Sequence, residues 1–281
     1  MTGARRAARA ALAAAGLRPR KRWGQHFLCD AAVARRIVET AAVGPETVVL
    51  EIGPGLGALT DELAARAGRL YLVEVDRGLA ARLAAHYASC PHVTVRMGDV
   101  LAAPLAALVP EHEVTVVANL PYNIATEVIF RLLDARERFP RAVLMLQREV
   151  AARLAAAPGA VGRGVASVLV QTFADVRLAF GVSRRAFVPA PRVESAVVEI
   201  CWRSRPRVVV DDAAAYRAVV RAAFGQRRKM LRNALAAFGD ARGLDAHGLD
   251  AALARAGVAP TARAETLALD DFARLTRALH A

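Results

Sequence analysis

The segment Asn119-Leu120-Pro121-Tyr122 combines three groups that can recognise a flat ring carrying an amine. The Asn119 side-chain oxygen and the Leu120 carbonyl, held extended by the following proline, can each accept a hydrogen bond from an exocyclic NH₂. The ring of Tyr122 can stack on the face of a base. Two acceptors on one amine would turn its lone pair away from them. The segment therefore predicts an amine that is oriented for nucleophilic attack.

A glycine-rich turn supplies the second candidate site. It reads Glu51-x-Gly53-x-Gly55-x-Gly57 and follows a short β-rich run. Glycines at this spacing let a strand-to-helix turn approach a nucleotide closely. Because Gly53-x-Gly55-x-x-Ala58 also matches the dinucleotide fingerprint, a nicotinamide-dependent dehydrogenase remains an alternative at this point.

Acidic residues at the ends of the next two strands help to decide which cofactor the glycine-rich turn binds. They occur in Glu74-x-Asp76 and in Gly98-Asp99. A carboxylate at the end of the second strand can bind both hydroxyls of a ribose, and Asp99 can accept a hydrogen bond from an adenine amine. Together with Glu51, these acids suit S-adenosyl-L-methionine, which has no pyrophosphate. We therefore expect Glu74 and Asp99 to bind this cofactor.

The elements that must position these residues alternate between short β-rich runs and alanine-rich helical stretches. This alternation predicts a Rossmann-like α/β sheet, in which ligands bind beyond the carboxyl ends of the strands. Gly53, Glu74, Asp99 and Asn119 all follow predicted strands, so they should meet in one pocket. The predicted strands cover residues 48–52, 70–76, 93–96, 114–117, 142–146, 167–172 and 193–201.

The pattern changes near residue 204. Asp211 and Asp212 can cap a helix that runs to Phe224, and the segments that follow are also helical in character. We predict two domains. Residues 1–204 would hold an N-terminal basic segment and the α/β domain, and residues 205–281 would form a small all-helical domain.

Basic residues are concentrated in two blocks of this chain, whose net charge is +13. Residues 1–36 hold nine basic and one acidic residue, and residues 184–233 hold twelve basic and four acidic residues. Such clustering favours a polyanionic partner. We predict that the residues contacting the phosphates of a nucleic acid include Arg20, Lys21, Arg22, Arg227, Arg228 and Lys229.

Composition also excludes several classes of protein. Hydrophobic residues make up 55% of the 281 residues, which is enough for a folded core. The cysteines Cys29, Cys90 and Cys201 are scattered and form no zinc-binding pair, so we expect no metal. The scattered cysteines also indicate a reducing, cytoplasmic compartment. No apolar run approaches the ~18 residues that a membrane helix needs, so we expect no membrane partner. Nothing indicates an obligate dimer, and we expect a monomer.

Five motifs resemble those of the rRNA adenine N6-dimethyltransferases. The last two are similar to the branch that modifies small-subunit rRNA (the KsgA/RsmA type), and the resemblance runs from about residue 18 to the C-terminus. The motifs are Gln25-His26-Phe27-Leu28, Glu51 to Thr60, Asn119 to Thr126, Phe187 to Val193, and Phe224 to Lys229 with Asn233.

This resemblance implies a function and a set of site residues. The substrate would be two adjacent adenosines in the 3′-terminal hairpin loop of 16S rRNA, each of which receives two methyl groups. A role in the biogenesis of the small ribosomal subunit would follow. The implied cofactor contacts are His26, Leu28, Gly53, Gly55, Glu74, Asp99 and Asn119. The implied catalytic residues are Asn119, Leu120, Pro121, Tyr122 and Phe187, of which Tyr122 and Phe187 would stack on the target base.

Two departures from the family pattern and two alternatives remain. Arg163 replaces a usual tyrosine, so the loop around it could contact RNA differently, and His26 stands where many members carry asparagine.

One alternative is the related enzyme that methylates large-subunit rRNA and confers macrolide resistance. Its motif tends toward Asn-Ile-Pro, whereas Leu120 stands here. The other alternative is a non-catalytic RNA-binding assembly factor.

Overall fold

Runs of valine, leucine and isoleucine form the strands of a seven-stranded sheet in the computed structural model, which describes residues 3–14, 24–226 and 229–280. The central strands are buried along nearly their whole length, which explains why their sequences are continuously apolar. The strands are β1 (Phe27–Leu28), β2 (Val48–Ile52), β3 (Arg69–Glu74), β4 (Val93–Met97), β5 (Thr115–Asn119), β6 (Arg141–Gln147), β7 (Ala174–Val182), β8 (Phe187–Val188) and β9 (Ser195–Trp202).

The order of the large sheet is β4-β3-β2-β5-β6-β9-β7. The pairs from β4 through β6 are parallel, and β9 pairs with β6 in the antiparallel direction. The short strands β1 and β8 form a separate antiparallel pair. The carboxyl ends of β2, β3, β4 and β5 consequently lie along one edge of the sheet, and the predicted site residues follow these ends.

The α-helices connect the strands in the first part of the chain and fill its last part. Several begin at an aspartate whose side chain accepts backbone N–H bonds, as Asp30, Asp76 and Asp212 do. They are α1 (Gly3–Ala14), α2 (Ala31–Thr40), α3 (Ala58–Ala64), α4 (Arg77–His86), α5 (Ala125–Asp134), α6 (Arg148–Leu154), α7 (Val165–Phe173), α8 (Ala213–Phe224), α9 (Leu231–Asp240), α10 (Ala246–Arg255) and α11 (Leu269–His280).

Most predicted elements are confirmed, including the Rossmann-like sheet and the helix capped by Asp212, but one strand is wrong. Residues 167–172 lie in α7, whose first turn closes when the Gly164 N–H donates to the Ser167 hydroxyl at 3.0 Å. Because α7 is apolar around nearly its whole circumference, its sequence lacks the periodicity that would distinguish a helix from a buried strand. The strand β7 was missed because it is partly exposed and alternates poorly.

The chain forms two compact units. The first comprises Met1–Ala151 and Asp175–Trp202, and the second comprises Ala152–Ala174 and Arg203–Ala281. The second unit therefore includes residues 152–174, a segment that comes before β7 in the chain. The domain boundary at residue 204 remains a prediction from the sequence.

The second unit is helical beyond residue 202 in its described residues, and it buries an arginine. Phe224 and Phe272 stack in its core with ring centroids 6.0 Å apart. Arg163 is fully buried and donates to the carbonyls of Ala156 at 3.2 Å and Leu267 at 3.0 Å. The Arg163 side chain thus joins two loops within this unit, and it does not lie on a surface where it could contact RNA.

The described part of the chain lacks two features, a membrane-spanning helix and a metal-binding cluster. None of its helices has the length and apolar character needed to cross a bilayer. No group of three or more His, Cys, Asp and Glu side chains among these residues is arranged to bind a metal ion.

Candidate active site

The turn between β2 and α3 forms one wall of a cavity in the first unit. Gly53, Gly55 and Gly57 have φ values of +67°, +60° and +95°, a backbone region that glycine adopts far more readily than other residues. A Cβ on Gly55 would lie 2.9 Å from Cδ1 of Phe27. The glycine spacing is therefore required both by the backbone and by close packing against the β1 segment.

Glu74 holds this turn from the end of β3. One carboxylate oxygen accepts the Gly55 N–H at 3.0 Å, and the other accepts the Asp76 N–H at 2.9 Å. Each oxygen keeps a second lone pair for a ligand. Burial raises the pKa of Glu74 above its ordinary value. Asp76 has a different task, because its side chain caps α4 by accepting the Gly78 N–H at 2.8 Å.

Glu51, on β2, also lines the cavity, and the sequence used it to favour S-adenosyl-L-methionine without assigning it a contact of its own. It is only 1% exposed, and its Oε2 has no hydrogen-bond partner. Burial, together with the nearby carboxylates of Glu74 and Asp61, raises the pKa of Glu51 to about 8. Its position two residues before Gly53 was the only signal in the sequence that could have identified it.

Asp99 follows β4 and lines the same cavity from an exposed position. One of its oxygens accepts the Leu101 N–H at 2.8 Å, which fixes the side chain over its own turn. Together with Glu74, Asp99 makes this part of the lining acidic. An acidic lining suits a ligand with positive groups and would repel the pyrophosphate of a dinucleotide.

Asn119 ends β5, and its side chain has a fixed orientation. Its Nδ2 donates to the backbone carbonyl of His26 at 3.1 Å. Because this bond uses the nitrogen, Oδ1 is the atom of the amide that can accept a hydrogen bond from a ligand. The next residue is anchored as well, since the Leu120 N–H donates to the Met145 carbonyl at 3.2 Å.

Tyr122 is held at both its ring and its hydroxyl. The hydroxyl lies 2.9 Å from Oγ of Ser195, and the ring stacks on that of His26 with centroids 5.7 Å apart and planes inclined by 29°. Burial raises the pKa of Tyr122, so its hydroxyl stays protonated near neutral pH. No signal in the sequence indicated the contact with Ser195, which lies 73 residues away.

His26 joins three parts of the site. Its carbonyl accepts from Asn119, its ring lies against Tyr122, and its Nδ1 donates to the Pro189 carbonyl at 2.8 Å. Leu28, two residues further along, is buried and contributes an apolar part of the wall. The replacement of the usual family asparagine by His26 therefore introduces a ring that packs on Tyr122.

The structure brings most of the predicted site residues together. The predicted residues that line this cavity are His26, Leu28, Gly53, Gly55, Glu74, Asp99, Asn119, Leu120, Pro121 and Tyr122.

Phe187 is the predicted catalytic residue that does not line the cavity. It is fully buried in the core of the first unit, on β8, where it pairs with Leu28. In this arrangement its ring has no face open to a base, so the structure gives no support to the stacking role expected from the sequence.

Most of the predicted RNA-binding residues lie outside the described part of the chain. These are Arg20, Lys21, Arg22, Arg227 and Arg228. Lys229 is described, belongs to the second unit and is exposed. Its contact with RNA remains a prediction.

Comparisons with known proteins agree with this geometry. The family model described as ribosomal RNA adenine dimethylase matches residues 16–280. The ribosomal RNA small subunit methyltransferase A of Syntrophotalea carbinolica is 45% identical over 260 residues, covering 92% of this chain and 96% of that protein. The protein of the same name from Geobacter sulfurreducens is 46% identical over 267 residues, covering 94% and 96%.

A solved structure extends the similarity to three dimensions. The crystal structure of the 23S rRNA methyltransferase ErmE matches with a TM-score of 0.68 and 29% identity, covering 91% of this chain and all of that one. The family match spans the cavity and its Asn119 to Tyr122 segment, as well as most of the second unit. On this basis the chain belongs to the ribosomal RNA adenine dimethylase family.

Proposed function

We propose that this protein binds S-adenosyl-L-methionine in the cavity and dimethylates N6 of two adjacent adenosines in the 3′-terminal hairpin loop of 16S rRNA. The observation that carries this proposal is the orientation of Asn119. Its Nδ2 is engaged by the His26 carbonyl, so Oδ1 is left as an acceptor in the same cavity as Glu74. Family membership contradicts the nicotinamide dehydrogenase hypothesis.

The cavity fits the proposed cofactor on three counts. Glu74 keeps lone pairs for the ribose hydroxyls, Asp99 stands at the next strand end for the adenine amine, and Glu51 presents a buried oxygen without a partner. Burial raises the pKa of Glu51, and a cation beside it would favour the ionised form, because the pairing would offset the desolvation of the carboxylate. Bound S-adenosyl-L-methionine would supply an electrophilic methyl group on a positively charged sulfur.

The Asn119 to Tyr122 segment would orient the target adenine. Asn119 Oδ1 and the Leu120 carbonyl each accept a hydrogen bond from one N–H group of N6. The nitrogen lone pair is then directed away from both acceptors. Tyr122 covers the face of the base, and its own ring is fixed by Ser195 and His26. The target base must leave its stack to reach this site. Positioning and electrostatics, rather than a strong base, would supply most of the acceleration.

The choice of small-subunit rRNA rests on the two relatives named as small subunit methyltransferases. Their identities of 45% and 46% exceed the 29% of the 23S rRNA methyltransferase ErmE. A role in biogenesis of the small subunit, a cytoplasmic location and a monomeric state are parts of the same proposal. So are phosphate contacts by Arg20, Lys21, Arg22, Arg227, Arg228 and Lys229.

Transfer of radiolabelled methyl groups to isolated small and large ribosomal subunits tests the proposal. We expect label in small subunits, recovered as N6,N6-dimethyladenosine after nucleoside analysis. Label confined to large subunits would favour the macrolide-resistance alternative. Binding of small subunits without any transfer would favour the non-catalytic assembly factor.

A further inference from the structure

Three arginines lie on one segment beside the cavity, and none of them has a role so far. Arg184, Arg185 and Arg192 are all exposed, and they lie on either side of β8. We name them the arginine rim. They belong to the second basic block of the sequence, but the predicted RNA contacts in that block were placed at Arg227, Arg228 and Lys229.

Hydrogen bonds fasten the rim segment to the walls of the cavity. The Cys29 N–H donates to the Ala186 carbonyl at 2.8 Å, directly after Arg185. The His26 ring donates to the Pro189 carbonyl at 2.8 Å, between the two ends of the rim. The rim is therefore held next to residues that line the cavity.

A further contact ties the far end of this segment to the proposed base-binding residue. Ser195 lies three positions after Arg192, and its hydroxyl is 2.9 Å from that of Tyr122. The strand pair of β1 and β8 adds a backbone connection between the rim segment and Phe27 and Leu28, which line the cavity. A nucleic acid whose base reaches Tyr122 would carry its neighbouring phosphates past this segment.

The rim differs from other arginines in its electrostatic partners. Arg35 and Arg66 pair with Glu62, and Arg69 pairs with Glu111. Among the described residues, no ion pair is found for a guanidinium of the rim.

The acid nearest to the rim in sequence is not found in an ion pair with it among the described residues. Glu194 uses its carboxylate to accept the Arg184 backbone N–H at 2.7 Å. Exposed guanidinium groups without carboxylate partners keep their donors available for phosphate oxygens.

We propose that the arginine rim binds phosphates of the nucleotides that flank the target adenosine, and so holds the RNA while its base enters the cavity. This inference rests on the proposed function, since it assumes an RNA substrate at Tyr122. It adds a phosphate-binding surface in the first unit to the contacts predicted from the sequence.

The test compares two triple variants that each lose three positive charges. The first is R184Q/R185Q/R192Q. The control is R35Q/R66Q/R69Q, whose side chains are 59%, 32% and 51% exposed and already paired with acids. Binding to small ribosomal subunits is measured as a function of salt, and cofactor affinity is measured by calorimetry.

If the rim binds phosphates, its variant should lose ~0.7–0.9 in the slope of log affinity against log salt for each contact, or about 2–3 in total. Near 0.1 M salt this corresponds to roughly 100-fold weaker RNA binding, with unchanged cofactor affinity. Wild-type slope and affinity in the rim variant, or an equal loss in the control, would overturn the proposal.

The proposed function fails by a different result, namely wild-type protein that transfers no methyl group to small subunits. Unchanged cofactor affinity in the rim variant confirms that the first unit is folded. Should the triple variant not fold, the single variants R185Q and R192Q supply the same comparison, with ~0.7–0.9 of slope lost in each. Two single variants with the wild-type slope would exclude the rim equally well.

Discussion

The sheet buries two glutamates in opposite electrostatic surroundings. Glu199, on β9, accepts both Nε and Nη2 of Arg177 at 2.8 and 2.6 Å, and it also accepts a bond from Arg141. Although burial raises the pKa of Glu199, the two guanidinium groups hold it below the ordinary value. Glu51, on β2, has an oxygen without any partner and a pKa of about 8.

The difference separates a structural site from a functional one. In the cluster of Glu199, Arg141 and Arg177, the carboxylate forms ion pairs with both guanidinium groups. Arg141 also donates to the backbone carbonyl of Thr40 at 2.8 Å. The cavity end of the sheet instead keeps acceptors for something outside the protein. Changes at the cavity should therefore alter ligand binding and turnover, whereas changes in the cluster should alter stability.

The largest effect is expected for Asn119→Ala. The target amine would lose one of its two orienting acceptors, and loss of a preorganised contact of this kind costs on the order of 10²–10³ in rate. Single-turnover methyl transfer at saturating cofactor measures it, with thermal unfolding as the control for folding. Asn119→Asp keeps Oδ1 but loses the bond to His26, so we expect an intermediate rate. Near-normal turnover of Asn119→Ala would exclude the orienting role.

Glu74→Ala should weaken cofactor binding by roughly 10- to 150-fold, since a hydrogen bond to a charged group contributes ~1.5–3 kcal/mol. The substitution also removes the acceptor of the Gly55 and Asp76 N–H groups. Glu74→Gln is the matched variant. Because it retains one acceptor oxygen, its cofactor affinity should lie between those of the wild-type protein and Glu74→Ala. Calorimetry on the folded variants measures their affinity for the cofactor. Unchanged affinity would remove Glu74 from the site.

Glu199→Ala tests whether the cluster of Glu199, Arg141 and Arg177 serves stability rather than ligand binding. It leaves Arg141 and Arg177 without their shared partner, and breaking a buried ion pair costs ~3–5 kcal/mol. Because the Arg177 side chain is 62% exposed, we expect a smaller loss of about 2–3 kcal/mol in the free energy of unfolding. Denaturant titration measures this loss, and cofactor affinity should not change. A stable variant with poor cofactor binding would reverse the assignment of the two regions.

The smallest effect concerns pH. Because the pKa of Glu51 in the folded state is raised to about 8, its contribution to stability is present at acidic pH and is lost as the pH rises through that value. Between pH 5 and pH 7 the ligand-free protein should lose about 2 kcal/mol from this group. Glu51→Gln should remove that part of the slope, and the exposed Glu46→Gln should not. Denaturant titrations at several pH values measure the free energy of unfolding. If the wild-type protein and Glu51→Gln showed the same dependence on pH, the raised pKa of Glu51 would be wrong.

Much of the site could be predicted because parallel strands end at a common edge. Gly53, Glu74, Asp99 and Asn119 each follow a strand whose apolar run is evident in the sequence, and the structure places all four on the cavity. Phe187 was not predictable in the same way. Its motif says nothing about burial, and the pairing of β8 with β1 places its side chain in the core.

The sequence by itself determined the parallel strands β2 to β6, the glycine turn and the strand ends, because each depends on residues close together in the chain. The immediate neighbours of Glu51 and Glu199 do not reveal the difference in their surroundings, since both lie between valine or leucine and isoleucine within a β-strand. Only the tertiary structure decided that Arg141 and Arg177 neutralise one and that a cavity faces the other. The physical reason is that desolvation and ion pairing depend on neighbours distant in sequence, which folding alone brings together.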